Sequence, residues 1–261
     1  MNLLLVGYGN MGSALLLRWK KSTGLKIDRF FAIDPEIKGE MADCYPSLDA
    51  FPAEYAPDII VFAVKPNQLA SILPAYRARF GTQPLYISIA AGKTLAFYRQ
   101  HLGEQAHIVR AMPNTPAMIG YGMTALCAAN LPEESRHKAT QLMNDVGKTI
   151  WIQDESQMDA VTAISGCGPA YVFLFLDALH AAAQAMRLEG DLRQIVIETV
   201  KGSCMLADGS IAPFEQLRQN VASPGGSTEA ALKVLMQGNA FETLVKEAVL
   251  AAAKRARELA K

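Results

Sequence analysis

Three glycines near the start of the chain, Gly7, Gly9 and Gly12, are the residues whose type and spacing most clearly predict chemistry. They occupy the first, third and sixth positions of a G-x-G-x-x-G sequence, which follows the apolar run 3–6 and precedes a helical pattern. The first glycine permits a tight turn, the second lets a ligand approach the backbone, and the third lets helix and strand pack closely. The start of a helix also presents free N–H groups and partial positive charge to an anion.

This arrangement predicts a site for the pyrophosphate of a dinucleotide, since strand before and helix after are the context that the pattern requires. The alternative is a glycine-rich turn that binds nothing. The candidate residues of the segment are Gly7, Tyr8, Gly9, Asn10, Met11 and Gly12.

A second candidate is Asp34, which ends a predicted strand over 29–34, 22 residues after the last of these glycines. An acid at this distance accepts hydrogen bonds from the ribose hydroxyls of NAD. It would repel the additional phosphate of NADP by about 4 kcal/mol per unit charge at 4 Å and an effective dielectric constant near 20. Asp34 therefore favours NADH. In the alternative interpretation, Asp34 only starts a turn with Pro35 and caps a helix at Glu36, with Lys38 near enough to weaken the charge.

Two further candidates follow predicted strands over 58–64 and 85–89. Ligands of open parallel sheets bind beyond the carboxyl ends of the strands, so Lys65 is placed to reach a phosphate or ribose oxygen, unless it is merely solvated. The small residues Ala90 and Ala91 would let a flat nicotinamide ring lie against the backbone, or else they form an ordinary turn.

The elements that must position these residues alternate between strand and helix for about 150 residues, which is typical of a doubly wound, Rossmann-type α/β fold with right-handed crossovers. Residues 1–154 are assigned to this dinucleotide-binding domain. The turn-rich stretch 44–57 is expected to form short helices or loops at one edge of the sheet. The predicted strands are 3–6, 29–34, 58–64, 85–89, 107–112 and 148–152, with a helix over 132–147 before the last of them.

Residues 155–261 are assigned to a second, all-helical domain, because strand patterns stop and alanine-rich helical patterns begin after Asp154. A helix over 170–186 is apolar on nearly every side, which predicts that it is buried all round. About 100 residues of helix can hardly bury it alone, so a homodimer is expected. Further helices are predicted over 191–208 and 214–220, and from 229 past 254 with a stop or kink near Gly238.

The segment 223–228 reads Ser-Pro-Gly-Gly-Ser-Thr and opens that last helix. Two glycines expose backbone N–H groups, Ser227 and Thr228 add hydroxyls, and the helix dipole directs positive charge to the same place. The segment predicts an anion site that suits a carboxylate; the alternative is a simple N-cap.

The composition of the chain limits the classes of partner that it is expected to bind. The 261 residues are 51% hydrophobic and carry 25 basic and 25 acidic side chains, so no bulk field attracts nucleic acid or an anionic membrane, and a small molecule is expected instead. The first apolar run is too short for a signal peptide or membrane span, which predicts the cytoplasm. Histidine and cysteine spacings predict no metal site, and four free thiols are expected at Cys44, Cys127, Cys167 and Cys204.

Taken together, the motifs resemble the pyrroline-5-carboxylate reductase family over most of the chain. The resemblance implies that a reduced nicotinamide cofactor, NADPH or NADH, delivers hydride to the C=N bond of the substrate and gives L-proline. It also implies homodimers through the helical domain, which often assemble into rings. The motifs cover residues 7–12, 63–66 (Ala-Val-Lys-Pro), 90–92, 110–116 (Arg-Ala-Met-Pro-Asn-Thr-Pro), 165–171 (Ser-Gly-Cys-Gly-Pro-Ala-Tyr) and 223–228.

The same resemblance implies roles for individual residues. Thr228 would hydrogen-bond the ring nitrogen, and the N–H groups of Gly226, Ser227 and Thr228 would hold the substrate carboxylate. Glu155 would lie near the substrate ring, and Asn220 would reach the cofactor. The cofactor set is completed by the motif after the third predicted strand, Ala63, Val64, Lys65 and Pro66.

Two features depart from the family. Cys167 stands where the family usually has Ser, and Asp34 stands where members that prefer NADPH usually carry small polar or basic residues. Two other functions are compatible with parts of this sequence. A 3-hydroxyacid-type dehydrogenase would need a helical Lys with an Asn one turn later, which the second half lacks. A non-enzymatic dinucleotide-sensing dimer would need the glycine segment but no substrate loop.

Overall fold

The computed structural model describes residues 1–21, 24–36 and 43–259. The chain divides into two compact units. The first comprises Met1–Cys167 together with the residues from Ala252 on, and the second comprises Gly168–Ala251. Residues 155–167, which the sequence pattern assigns to the helical domain, group with the first unit, where Met158 is 3% exposed in an apolar cluster against the sheet.

The first unit is built on an eight-stranded sheet. Its strands are β1 (Asn2–Val6), β2 (Arg29–Ile33), β3 (Cys44–Tyr45), β4 (Ile59–Phe62), β5 (Leu85–Ser88), β6 (His107–Met112), β7 (Gly122–Cys127) and β8 (Gly147–Trp151). Their order in the sheet is β3-β2-β1-β4-β5-β6-β7-β8. Successive strands are added on one side of β1 up to β3 and on its other side from β4 on, so the strand order reverses between β1 and β4, where open sheets of this kind bind ligands.

The sheet is mixed, since it contains both parallel and antiparallel strand pairs. β7, which the sequence analysis missed, pairs antiparallel with β6, and β8 pairs parallel with β7. The physical reason is the connection after β6. Residues 113–121 contain one short 3₁₀ turn, Thr115–Ile119, and a crossover to a parallel strand needs a dozen residues or more.

Both faces of the sheet are covered, as the doubly wound fold requires. Because side chains alternate along a strand, Leu3 and Leu5 of β1 pack on one face and Leu4 and Val6 on the other. α1 and α4 cover the first face, and α2 and α3 cover the second. The helices of this unit are α1 (Asn10–Lys21), α2 (Leu69–Phe80), α3 (Leu95–Leu102), α4 (Glu133–Asn144) and α5 (Met158–Val161), which a π-helical turn, Thr162–Gly166, follows.

The second unit is entirely helical in its described residues. Gly238 and Asn239 adopt positive φ angles of 57° and 56° between the last two helices, so the predicted kink near Gly238 is confirmed. The helices are α6 (Gly168–Ala185), α7 (Leu192–Asp208), α8 (Phe214–Val221), α9 (Ser227–Met236) and α10 (Ala240–Leu259), the last of which continues into the first unit.

Helix α6 is far from covered within its own chain. Four successive apolar residues, 172–175, are 46%, 60%, 69% and 43% exposed. Successive residues on a helix point about 100° apart, so these four side chains leave apolar surface uncovered in every direction around the helix. The expectation that the helical half cannot bury this helix alone is therefore confirmed.

The covered face of the sheet generates a stability prediction. Trp19 of α1 is 1% exposed, and its indole Nε1 donates a 2.8 Å hydrogen bond to the carbonyl of Leu142 in α4. Trp19→Phe keeps most of the apolar volume but leaves this buried carbonyl without its donor, so we expect a loss of about 1–3 kcal/mol in the free energy of unfolding. Urea unfolding at one fixed protein concentration measures it. The exposed control on the same helix, Lys20→Ala, should change it by less than about 0.5 kcal/mol, and an unchanged value for Trp19→Phe would contradict the assignment.

Candidate active site

The turn between β1 and α1 has the geometry that its glycines predict. Gly7 has a φ of +97°, which favours glycine, and its N–H donates to the carbonyl of Ile33 at 2.8 Å. A Cβ on Gly7 would lie 2.8 Å from the backbone of Ala63, and one on Gly12 would lie 2.2 Å from the carbonyl oxygen of Gly7. Two of the three glycines are therefore required by close packing of strand, turn and helix.

Gly9 differs from the other two. A Cβ at this position would meet no atom of the described residues within 4 Å, so none of those residues requires a glycine there. The open space lies directly before the first N–H groups of α1, where an anion is stabilised by hydrogen bonds and by the helix dipole. A side chain at position 9 would occupy this space, whereas glycine leaves it open for a pyrophosphate group.

Asp34 is held by two backbone donors. Its Oδ2 accepts a 2.6 Å hydrogen bond from the N–H of Tyr8, and its Oδ1 accepts a 2.8 Å hydrogen bond from the N–H of Glu36. The carboxylate therefore forms the predicted turn after β2 and also ties that turn to the glycine segment. Lys38, the cation considered in the alternative interpretation, lies outside the described residues.

A cavity of about 570 Å³ opens at the carboxyl ends of β1, β2 and β4, where the strand order reverses. Among the described residues, its charged lining groups are two carboxylates, Asp34 and Glu36, and one ammonium, Lys65. Of the predicted cofactor residues, it is lined by Gly7, Gly9, Asp34, Ala63, Val64 and Lys65.

A second cavity of about 350 Å³ lies at the ends of β4, β5 and β6. Ala63 and Val64 line both cavities, so the two adjoin along one edge of the sheet and together suit a long, two-part ligand. Of the predicted residues, the second cavity is lined by Met11, Ala63, Val64, Pro66, Ala90 and Ala91.

Four of the predicted cofactor residues line neither cavity. Asn10 is the first residue of α1 and is exposed, Tyr8 contributes its N–H to Asp34, and Gly12 packs under the turn. Asn220 is in the second unit, on α8, where its Oδ1 accepts a 2.9 Å hydrogen bond from Gln216.

The segment after β6 was missed as part of the site, although the sequence contains the signal. Residues 112–115 line the second cavity with Gly166. Asn114 bonds to the carbonyl of Ser165 at 3.2 Å and accepts from the N–H of Met123 at 2.9 Å, which fixes the segment between the π turn and β7. The rule that selected Lys65, a strand end facing the crevice, applies equally to this segment.

Cys167 comes directly after the π turn. Its N–H donates to the carbonyl of Thr162 at 2.8 Å, which is the i to i−5 bond of a π helix. Such turns are frequent at functional sites, and here the turn brings Gly166 to the second cavity.

Glu155 is engaged inside the first unit. Its Oε1 accepts hydrogen bonds from the N–H of Leu95 at 2.7 Å and from Nη1 of Arg110. The side chain of Arg110 is 9% exposed and that of Glu155 is 28% exposed. This ion pair, which joins a buried arginine to a half-buried glutamate, lies at the start of α3.

The predicted anion site is the start of α9, in the second unit. Gly226 is the N-cap, and its N–H donates to the carbonyl of Ser223 at 3.0 Å. Gly225 has a φ of +73°, and its N–H donates to Glu229, which also pairs with Lys233 at 3.3 Å. An anion at this helix start would therefore bond to the N–H groups of Ser227 and Thr228, which lie on the first turn of the helix.

These features define a class of protein: a Rossmann-type dinucleotide-binding protein, with two adjoining cavities at the strand ends and a separate helical unit. Residues 155–259 match the family model described as pyrroline-5-carboxylate reductase dimerisation. The chain is 36% identical to the curated pyrroline-5-carboxylate reductase of Pseudomonas aeruginosa, over 98% of this chain and 95% of the relative. The chain thus belongs to the pyrroline-5-carboxylate reductase family.

Solved structures agree. A pyrroline carboxylate reductase from Plasmodium falciparum, with NADP bound, has a TM-score of 0.89 and 33% identity, covering 100% of this chain and 98% of that one. A pyrroline-5-carboxylate reductase from Coxiella burnetii has a TM-score of 0.89 and 32% identity with the same coverage. A prephenate dehydrogenase from Aquifex aeolicus, at 16% identity and a TM-score of 0.53, shares the fold alone.

The contrast between the glycines generates a binding prediction. Gly9→Ala should leave the melting temperature near that of the wild type, because its Cβ meets no protein atom, yet it should raise the Kd for a reduced nicotinamide dinucleotide by about tenfold or more. Gly12→Ala should instead lower the melting temperature, since its Cβ would meet the carbonyl of Gly7 at 2.2 Å. Coenzyme fluorescence titration and thermal unfolding measure both. Wild-type affinity in Gly9→Ala would show that the pyrophosphate binds elsewhere.

Proposed function

We propose that this chain reduces the C=N bond of L-1-pyrroline-5-carboxylate to give L-proline, the last step of proline biosynthesis. It is an NAD(P)H-dependent oxidoreductase of that family. The observation that carries the proposal is the open space at Gly9, which lines the larger of two adjoining cavities. The similarity to the family extends over nearly the full length of the chain.

The proposed division of work follows the chemistry. When bound, the reduced nicotinamide supplies the hydride. The protein binds and orients both reactants, excludes water and supplies one hydrogen bond to the imine nitrogen. In this proposal the residues that line the second cavity, Ala90 and Ala91 among them, hold the nicotinamide end of the coenzyme, and those of the larger cavity hold the adenosine end.

The substrate is assigned to the start of α9, in the domain that we place at residues 155–261. Its carboxylate would accept hydrogen bonds from the N–H groups of Ser227 and Thr228, with Gly226 as the N-cap that leaves the approach open. The Thr228 hydroxyl would donate to the ring nitrogen, and Asn220 would reach the coenzyme. Two properties support this assignment: a helix N-terminus stabilises an anion, and an imine nitrogen needs a single proton donor rather than a strong base.

Thr228 generates the first test. Thr228→Ala should lower kcat with pyrroline-5-carboxylate by about a hundredfold, within the range attributed to a positioned proton donor. Thr228→Ser, which keeps the hydroxyl, should retain most of the activity. The Kd for the coenzyme should not change in either variant. Wild-type turnover in a folded Thr228→Ala protein would remove Thr228 from the mechanism, and no turnover by the folded wild type would favour a dinucleotide sensor.

We further propose that Asp34 makes NADH the preferred coenzyme. Both of its oxygens accept backbone N–H groups, which fixes the carboxylate in place at the edge of the larger cavity, and Glu36 adds a second negative charge there. A ribose hydroxyl can donate to such a carboxylate, whereas a ribose phosphate is repelled.

The ratio of kcat/KM for NADH to that for NADPH tests this proposal. The wild type should favour NADH. Asp34→Asn removes the charge while keeping one acceptor oxygen, and should shift the ratio toward NADPH by about tenfold or more, within the roughly 4 kcal/mol expected for like charges at 4 Å. Glu36→Gln is the matched control for charge in the same cavity and should shift the ratio less. A wild type that prefers NADPH, with an unchanged ratio in Asp34→Asn, would contradict the role of Asp34.

Finally, we propose that a second copy of the chain covers α6 and that dimers associate further into a ring. By length and composition, the segment Glu155–Ala185 could also cross a membrane. The match of residues 155–259 to a dimerisation domain supports a protein partner instead. The four cysteines are free thiols, which supports a reducing compartment and so the cytoplasm. Sedimentation in detergent-free buffer separates monomer, dimer and ring by mass.

A further inference from the structure

The turn that follows β5 is clamped at both of its ends. Residues 90–94 form this turn, and Ala90 and Ala91 line the second cavity. Gly92 has a φ of +79°, and Thr94 is the N-cap of α3, accepting from the N–H of Phe97 at 3.2 Å. The side chains of Ala90 and Ala91 are small, so a flat ring that binds against this turn lies close to the backbone. The position of the ring therefore depends on where the backbone of the turn is held.

The first clamp is at Ser88, the last residue of β5. Its Oγ lies 2.6 Å from the hydroxyl of Tyr98 on α3 and accepts a 3.3 Å hydrogen bond from the N–H of Ala90. Tyr98 is 1% exposed, and burial raises the pKa of its phenol to about 12, so the hydroxyl stays protonated. The beginning of the turn is therefore tied to the helix that follows it.

The second clamp is Glu155. Its carboxylate accepts from the N–H of Leu95, the first residue of α3, where the helix dipole stabilises a negative charge. It is held there by Arg110, which is buried and lies beside Ser88 in the register of β5 and β6. Both clamps thus meet in one polar cluster formed by the buried residues Ser88, Tyr98 and Arg110 and the half-buried Glu155.

We infer that Glu155, held by Arg110, is a positioning residue for the coenzyme: it fixes the start of α3 and through it the turn 90–94 that receives the nicotinamide ring. This role replaces contact with the substrate, which the family resemblance implies for Glu155. The inference rests on the proposed function only in requiring that a nicotinamide dinucleotide binds in the second cavity. Its signature is a loss of coenzyme affinity in the absence of substrate, which a substrate ligand would not cause.

The test is a binary titration of NADH and of NADPH with no substrate present, at a temperature where circular dichroism shows each variant folded. Glu155→Ala should raise the Kd of the better coenzyme by about tenfold, the equivalent of one lost charged hydrogen bond. Glu155→Gln keeps an acceptor oxygen for Leu95 and should raise it less. Tyr98→Phe opens the other clamp and should also raise it. Trp19→Phe, destabilised on the opposite face of the sheet, is the control and should bind normally.

Steady-state kinetics at saturating coenzyme complete the design, with the KM for pyrroline-5-carboxylate expected to stay unchanged in Glu155→Gln. A normal binary Kd with a raised KM for the substrate would overturn the inference and make Glu155 a substrate ligand. A normal Kd and a normal KM would reduce the cluster to a stability role and overturn it equally. If Glu155→Ala does not fold, Glu155→Gln and Tyr98→Phe decide. Wild-type coenzyme binding without turnover would contradict the proposed function and leave this inference standing.

Discussion

When both faces of a sheet are covered by helices, a polar ligand can reach the sheet only at the ends of its strands. In this protein β1, β4 and β5 are buried on both sides, with side chains alternating between two apolar clusters. Among the described residues, the charged groups that face the larger cavity, Asp34, Glu36 and Lys65, therefore come from the first residues after a strand. The glycine turn, Asp34, the segment from Ala63 and the turn from Ala90 are successive examples of this constraint around the point where the strand order reverses.

The helical unit is under the opposite constraint, since its most apolar element has no core of its own to enter. Residues 172–175 leave surface uncovered around the whole of α6. A helix of this kind must be surrounded by other protein or by lipid, because exposed apolar area on this scale is costly in water. A dimerisation domain is the solution that the family model describes for residues 155–259. Within one chain, the apolar composition of α6 is therefore understandable only as half of an interface.

Two acidic residues illustrate how an interpretation changes once partners are known. For Asp34, the sequence offered a ribose ligand or a turn; the structure has the carboxylate making the turn with Glu36 while it faces the cavity, so the two interpretations are compatible. For Glu155, the family resemblance implies a place near the substrate ring; in the structure its hydrogen-bond partners are Arg110 and the start of α3. In both cases the type of residue was predictable, whereas its hydrogen-bond donors were not.

The sequence by itself determined the fold class, the order of the main strands and helices, the glycine turn and the need for a partner around α6. These are consequences of local period, glycine placement and composition, all of which are readable within a window of a few turns. Only the tertiary structure decided that β7 runs antiparallel to β6 and that Glu155 meets Arg110. Those outcomes depend on contacts between distant segments; Glu155 and Arg110 lie 45 positions apart in the sequence, and no local pattern encodes which of the chain's basic groups a carboxylate will meet.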